Sequence, residues 1–186
     1  MFQPGHTPSH TGKITTTDPI RGEDIAKVRA TLTKTRDIAL WSVGTNSALR
    51  GSDLTSMTWD EVEDDGTRFT LFLRERKTQK LRKIVLNPQT SADLRAWRAE
   101  SDNNVIFPMT VAYLGRLIKT FCKNAGVDAK RVASHSLRKT WVRAHADRGA
   151  PLRQLMWALN HSNERQTAVY CGLLGEEVQA LYEHAV

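Results

Sequence analysis

Between residues 68 and 86 the hydrophobic period of this chain is two, and on both sides of that stretch it is the period of a helix. Phe69, Leu71 and Leu73 alternate with Arg68, Thr70 and Arg74, Phe72 being the exception. Residues 81–86 (Leu-Arg-Lys-Ile-Val-Leu) form a second run of the same kind. Alternation puts successive side chains on opposite faces and fits a strand. Glu75-Arg-Lys-Thr-Gln-Lys80 between the runs reads as a hairpin connection. The expected fold is mainly α, of the α+β class, with a small antiparallel β-sheet or hairpin.

The helices are legible from their apolar stripes and their punctuation. Ile25, Val28 and Leu32 mark one, and Ile38, Leu40, Trp41 and Val43 mark a second over about 35–45. Gly51 and Ser52 interrupt the pattern, Ser52 being a candidate cap for a short helix with Leu54 and Met57, which leaves Arg50 at a turn between helices. Pro88 opens a helix to about Glu100 with Leu94 and Trp97 inward, and Val105 to Pro108 is an extended connector. Thr110 caps a helix to about Asn124 with Val111, Leu114, Leu117, Ile118 and Phe121 on one face, ended by Gly126. Ser134 is the expected cap of a helix to Asp147. Leu152, Leu155, Met156 and Leu159 form the next stripe, Asn163 caps a short helix reaching Tyr170, and a last helix runs from Glu176 to His184.

A chain of 186 residues with 40% hydrophobic content suits one domain or one plus an arm. Residues 1–18, rich in Thr, Pro, Gly and His, read as a flexible N-terminal arm. The net charge of +7 fits a polyanionic partner, most commonly nucleic acid, or a merely solvated basic surface. The charge is concentrated: Arg68, Arg74, Arg76, Lys77, Lys80, Arg82 and Lys83 face one acid, Glu75, between residues 68 and 83. That is the footprint expected for a phosphate backbone, and lysines guarding a sheet edge would look the same. Cys122 and Cys171 stand in no disulfide or zinc spacing, and no apolar run reaches the length of a membrane span.

The chemistry gathers in His135-Ser-Leu-Arg138-Lys139-Thr140, then Leu159-Asn-His161 and Tyr170. His135 and Arg138, three apart, share a helix face. Arginine forks match phosphate oxygens, histidine moves protons near neutral pH, and a tyrosine oxygen can form a covalent intermediate. His135 and His161 lack a third ligand at metal spacing, so no metal is expected. Tyr113 and Tyr182 fit core positions, His145 and His184 the surface, and Trp141 packing.

These residues carry a resemblance. Arg50, Lys77, His135-x-x-Arg138, His161 and Tyr170 resemble the active site of the tyrosine recombinases (phage-type integrases), and Ala48-Leu-Arg50-Gly-Ser-Asp-Leu54 resembles the family's first arginine box. Asp53 stands where the family usually has glutamate, and Asn160 where it usually has glycine. With 49 residues before Arg50, the chain resembles a catalytic domain alone over 19–186, without a separate DNA-clamping domain, as in the small invertases of fimbrial phase switching; a fragment cut from a longer integrase would look the same. The resemblance implies a cytoplasmic, nucleoid-associated enzyme that cuts and rejoins double-stranded DNA through a 3′-phosphotyrosine without cofactor. Lys77 would be the acid, and Arg68, Arg74, Arg76, Lys80, Arg82, Lys83 and Lys139 would contact DNA. It further implies self-association on DNA as dimer or tetramer, with accessory DNA-bending proteins as further partners. A catalytically silent DNA-binding regulator and a type IB topoisomerase are the alternatives.

Overall fold

In the computed structural model, residues 17–74, 79 and 81–171 are described. The chain is mostly helical around a three-stranded antiparallel sheet, as the periods require. Its elements are α1 (Gly22–Thr31), α2 (Thr35–Asn46), α3 (Gly51–Ser56), a 3-10 turn (Trp59–Glu61), β1 (Val62–Asp64), β2 (Phe69–Arg74) and β3 (Leu81–Val85). Then follow α4 (Pro88–Arg98), α5 (Val111–Asn124), α6 (Ser134–Ala146), α7 (Leu152–Ala158) and α8 (Glu164–Cys171). The final helix read from the sequence, Glu176 to His184, and the arm up to residue 16 lie outside the described residues.

The sheet has the order β1-β2-β3, with Leu71 opposite Val62 and Ile84, and Leu73 opposite Arg82. Phe69, Leu71 and Leu73 are buried, so their face of β2 is the core face. Phe72 points the other way and is exposed, with the ammonium of its cross-strand partner Lys83 lying 5.5 Å from its ring centre. On β3 the same alternation exposes Leu81, Lys83 and Val85 and half-buries Arg82 and Ile84.

The main core joins α2, α4, α5 and the sheet through Leu40, Trp41, Leu94, Leu114, Ile118 and Phe69, all fully buried. Trp41 meets Phe121 edge-on with ring centres 6.3 Å apart, and its indole N–H donates to the Ile25 carbonyl at 3.2 Å. Burying an indole of this size stabilises by roughly 4–6 kcal/mol. Asn87 caps α4 by accepting the Thr90 N–H at 2.8 Å, and Thr110 caps α5 through the Tyr113 N–H at 3.1 Å. Gly44 lets α2 close on α6: a methyl there would lie 2.7 Å from a Leu137 methyl.

Local details differ from the sequence reading. Ser134 is the first residue inside α6, and the cap is Ala133, whose N–H donates to Ser136 Oγ at 3.1 Å. Ser52 likewise lies inside α3, with Arg50 at its cap. Val111 and Tyr113 are exposed rather than core, because the apolar face of α5 is centred on Leu114, Ile118 and Phe121. Tyr113 is covered instead by the Arg116 guanidinium, 5.7 Å from its ring. His145 is half-buried, its ring tilted 43° against that of Trp141 with ring centres 4.2 Å apart. Burial, helped by the positive charge of Arg148, holds its pKa below the usual histidine value.

Candidate active site

Three segments converge. The first is the turn from α2 into α3. Ala48 takes a left-handed backbone (φ 54°), which costs a non-glycine residue roughly 1–2 kcal/mol. The turn buries the Ala48 and Leu49 side chains and leaves Arg50 at the cap of α3. The Arg50 side chain is 17% exposed, its guanidinium 3.9 Å from Asp53. Gly51 packs on the start of α6, where a methyl would sit 3.1 Å from Ser134 Cβ. Arg50 and His135 are the sequence neighbours of that contact, so the two boxes meet there.

The second segment is α6. Arg138 is only 1% exposed. A buried guanidinium is costly unless its N–H groups are matched. Here Nη1 donates to the Ala48 carbonyl at 2.6 Å and Nη2 to the Leu159 carbonyl at 2.7 Å. Arg138 therefore clips the Arg50 turn to the end of α7 and offsets the strain at Ala48. His135 is exposed at the start of the same helix.

The third segment is the end of α7 with α8. Asn160 is left-handed (φ 53°), and the Asn160 and His161 N–H groups return to the carbonyls of Trp157 and Met156, both at 3.0 Å. This helix stop favours glycine and tolerates asparagine best among the rest. Asn160 thus preserves the turn that a glycine would make, and the turn delivers His161. His161 Nε2 lies 3.5 Å from Arg138 Nη2, and Nδ1 lies 3.0 Å from Thr167 Oγ1. Arginine only donates, so a hydrogen bond across this contact requires Nε2 as the acceptor and the ring proton on Nδ1, facing Thr167. Thr167 is fully buried and was missed in the sequence reading. Its signal is the spacing of three before Tyr170, which places both on one face of α8.

Tyr170 closes the cluster. Its ring centre is 5.5 Å from that of His161, edge to face, 5.9 Å from the Arg138 guanidinium carbon and 5.7 Å from Lys139 Nζ. Burial raises the phenol pKa above the usual tyrosine value, against the pull of Arg138 and Arg50. Lys139 donates to the Thr17 carbonyl at 2.6 Å, and burial lowers its pKa despite the nearby Asp18.

Of the basic set, Arg68, Arg74 and Lys83 are exposed, and Arg74 donates to the Gln79 carbonyl at 2.8 Å. Arg82 turns inward, its Nη2 donating to the Ala158 carbonyl at 2.7 Å. Arg76, Lys77 and Lys80 lie outside the described residues. Among the described residues no three His, Cys, Asp or Glu side chains gather to hold a metal. None of the described helices is long and apolar enough to cross a membrane.

The sequence pattern of the phage integrase family matches residues 20–176. The chain belongs to the phage integrase family. It is 28% identical over 176 residues to the probable integrase/recombinase YoeC of Bacillus subtilis (strain 168), covering 89% of this chain and 94% of that protein. It is 27% identical over 158 residues to the tyrosine recombinase XerC of Xanthomonas campestris pv. campestris, covering 81% of this chain but 48% of XerC. Its fold is that of the XerA recombinase crystal structure (TM-score 0.73, 19% identity, 97% of this chain and 66% of that one). It is equally that of XerH bound to its difH substrate (TM-score 0.72, 17% identity, 89% and 52%). This chain thus spans about half the length of XerC and of XerH.

Proposed function

We propose that this integrase is a site-specific DNA recombinase that cuts and rejoins strands through a 3′-phosphotyrosine. The observation that carries the reading is the packing of Tyr170 against His161 and Arg138, with Arg50 close enough to act on the phenol electrostatically. The Tyr170 Oη attacks the scissile phosphorus, the P–O5′ bond breaks, and a 5′-hydroxyl departs. Negative charge builds on the non-bridging oxygens, where Arg50 and Arg138 stabilise it. One such donor is worth roughly a hundred- to a thousandfold in rate. In this reading His161 donates a hydrogen bond to a phosphate oxygen.

The phenol must lose its proton during attack. At neutral pH only about one tyrosine in a thousand is ionised at the ordinary pKa, and burial makes it fewer here. His135 is the proton acceptor in this reading. Lys77 is the acid that protonates the leaving oxygen, a role taken from the resemblance. The phosphotyrosine conserves the energy of the broken bond, so rejoining takes no nucleotide or metal.

The partner is double-stranded DNA, contacted by the exposed Arg68, Arg74 and Lys83, and the neighbours named in complex with DNA favour this. Copies of the integrase associate on a full site, and the protein works in the cytoplasm where the chromosome lies. The test is a suicide substrate, nicked so that the cleaved end diffuses away. A covalent protein–DNA adduct is expected from the parent and none from Tyr170→Phe, which keeps the ring volume. Adducts from the Phe variant would dismiss the reading.

A further inference from the structure

Arg82 is one of seven basic residues around the hairpin, and by charge alone it belongs with the DNA contacts. The register says otherwise. Arg82 pairs with Leu73 of β2, whose side chain is buried on the core face, and it shares the half-buried side of β3 with Ile84. Its guanidinium reaches beneath the site to main-chain carbonyls. Nη2 donates to Ala158 at 2.7 Å and lies 3.4 Å from the Ser47 carbonyl, and Nη1 lies 3.5 Å from that of Ala48. The bond to Ala158 is a strong one, and the two longer contacts act as charge against dipole.

Those carbonyls belong to the same two turns that Arg138 joins through Ala48 and Leu159. Two arginines, one from the helical side and one from the sheet, thus grip the turn that ends in Arg50 and the turn that presents His161. We infer that Arg82 is a positioning residue: it holds the Arg50 turn and the His161 turn in register so that both side chains meet one phosphate. It does this without touching DNA. This rests on the reading of the site given above. Displacement of a reacting group by about 1 Å costs on the order of a hundredfold in rate.

The test compares cleavage of a natural phosphodiester with cleavage of a site carrying a neutral methylphosphonate at the scissile position. That substrate lacks one non-bridging charge, so it depends less on well-aimed guanidinium groups. Arg82→Ala is expected to cleave the phosphodiester about a hundredfold more slowly. Its half-site affinity and salt slope should match the parent, and its deficit should shrink at least about tenfold on the methylphosphonate. Arg82→Lys reaches one carbonyl only and should remain slow on the phosphodiester. It carries the same comparison if Arg82→Ala is too unstable to assay. Equal deficits on both substrates would mean general damage to the fold and would overturn the proposal. So would a parental rate for Arg82→Lys, or weaker binding with a salt slope shallower by about one, the sign of a phosphate contact. Arg50→Ala is the control. If its deficit narrows while that of Arg82 does not, positioning fails alone. If the Arg50 deficit does not narrow, the reading of the site fails and the positioning proposal falls with it.

Discussion

The two apolar clusters among the described residues are built by different means. The main core between α2, α4, α5 and the sheet is large and mostly hydrocarbon and aromatic, with Trp41, Leu94, Leu114 and Phe69 fully buried and Ser42 donating to Asp93 at its α2–α4 edge. Among the described residues the cluster behind the site has Ala48, Val142, Leu155 and Leu159 at its centre, and Trp141, Leu152 and Tyr170 cover it in part. Its cohesion comes from Arg138, whose guanidinium donates to the carbonyls of Ala48 and Leu159. Apolar packing is non-directional and tolerates volume-conserving change. Bonds from guanidinium to carbonyl are directional, so they fix where Arg50 and His161 stand. The lesson is a division of labour, in which the large core sets stability and the small polar-laced cluster sets geometry.

Substitutions can break that contrast, and the largest effect is expected at Tyr170. Tyr170→Phe should abolish adducts and leave the melting temperature nearly unchanged, checked by gel and by calorimetry on the same preparation. Next is Arg138→Lys. One ammonium cannot span two carbonyls on different turns, so one buried acceptor is left unpaired at about 1–3 kcal/mol. Adduct formation should fall at least about a hundredfold. A lysine variant with parental rate would show that charge alone suffices. Third, Leu94→Ala in the main core should cost roughly 2–5 kcal/mol, and Leu155→Ala less, because its cluster is small and open enough to relax. Equal losses in urea unfolding would erase the distinction between the two regions.

Smaller still is a titration. Burial holds the Tyr170 phenol protonated beyond its ordinary pKa near 10. The difference in ultraviolet titration between parent and Tyr170→Phe should therefore have its midpoint above that value. The sign follows for stability. The contribution from a raised pKa is complete below the ordinary value and is lost as pH climbs through the folded one. Arg50→Met should push the midpoint further up, since Arg50 pulls it down.

Much of this was legible in the sequence and some was not, for identifiable reasons. Apolar spacing together with capping and breaking residues located the described helices and strands β2 and β3, because burial imposes a period. The spacing of His135 and Arg138 gave their shared face. β1 was not placed, since Val62-Glu-Asp64 is too short to show alternation. Charge count groups Arg82 with the exposed basic residues, whereas the period of two sets it beside Ile84 and Leu86, facing inward. An inward arginine must find acceptors, and that inference was available from the pattern. Thr167 was overlooked because a lone threonine carries no signal until Tyr170 is seen three residues on. Lys77 stays a reading of resemblance, its segment lying outside the described residues.

The smallest expected effect is at Asn160, and it separates backbone from side chain. Its left-handed φ of 53° ends α7, and the following N–H of His161 bonds back to Met156. Glycine adopts that conformation without strain, whereas alanine suffers a clash of roughly 1–2 kcal/mol. The Asn160 side-chain nitrogen is buried without a hydrogen-bond acceptor, so losing the amide removes a second small cost. Asn160→Gly should therefore be neutral to slightly stabilising, by at most about 1 kcal/mol, with adduct formation unchanged. Asn160→Ala should lose about 1 kcal/mol and slow adduct formation as His161 shifts off Arg138 and Thr167. Opposite signs for the two variants in thermal melting would fix the role of the turn. If alanine is as stable as glycine, the turn is not held left-handed, and the placement of His161 must come from Thr167 and Arg138 alone.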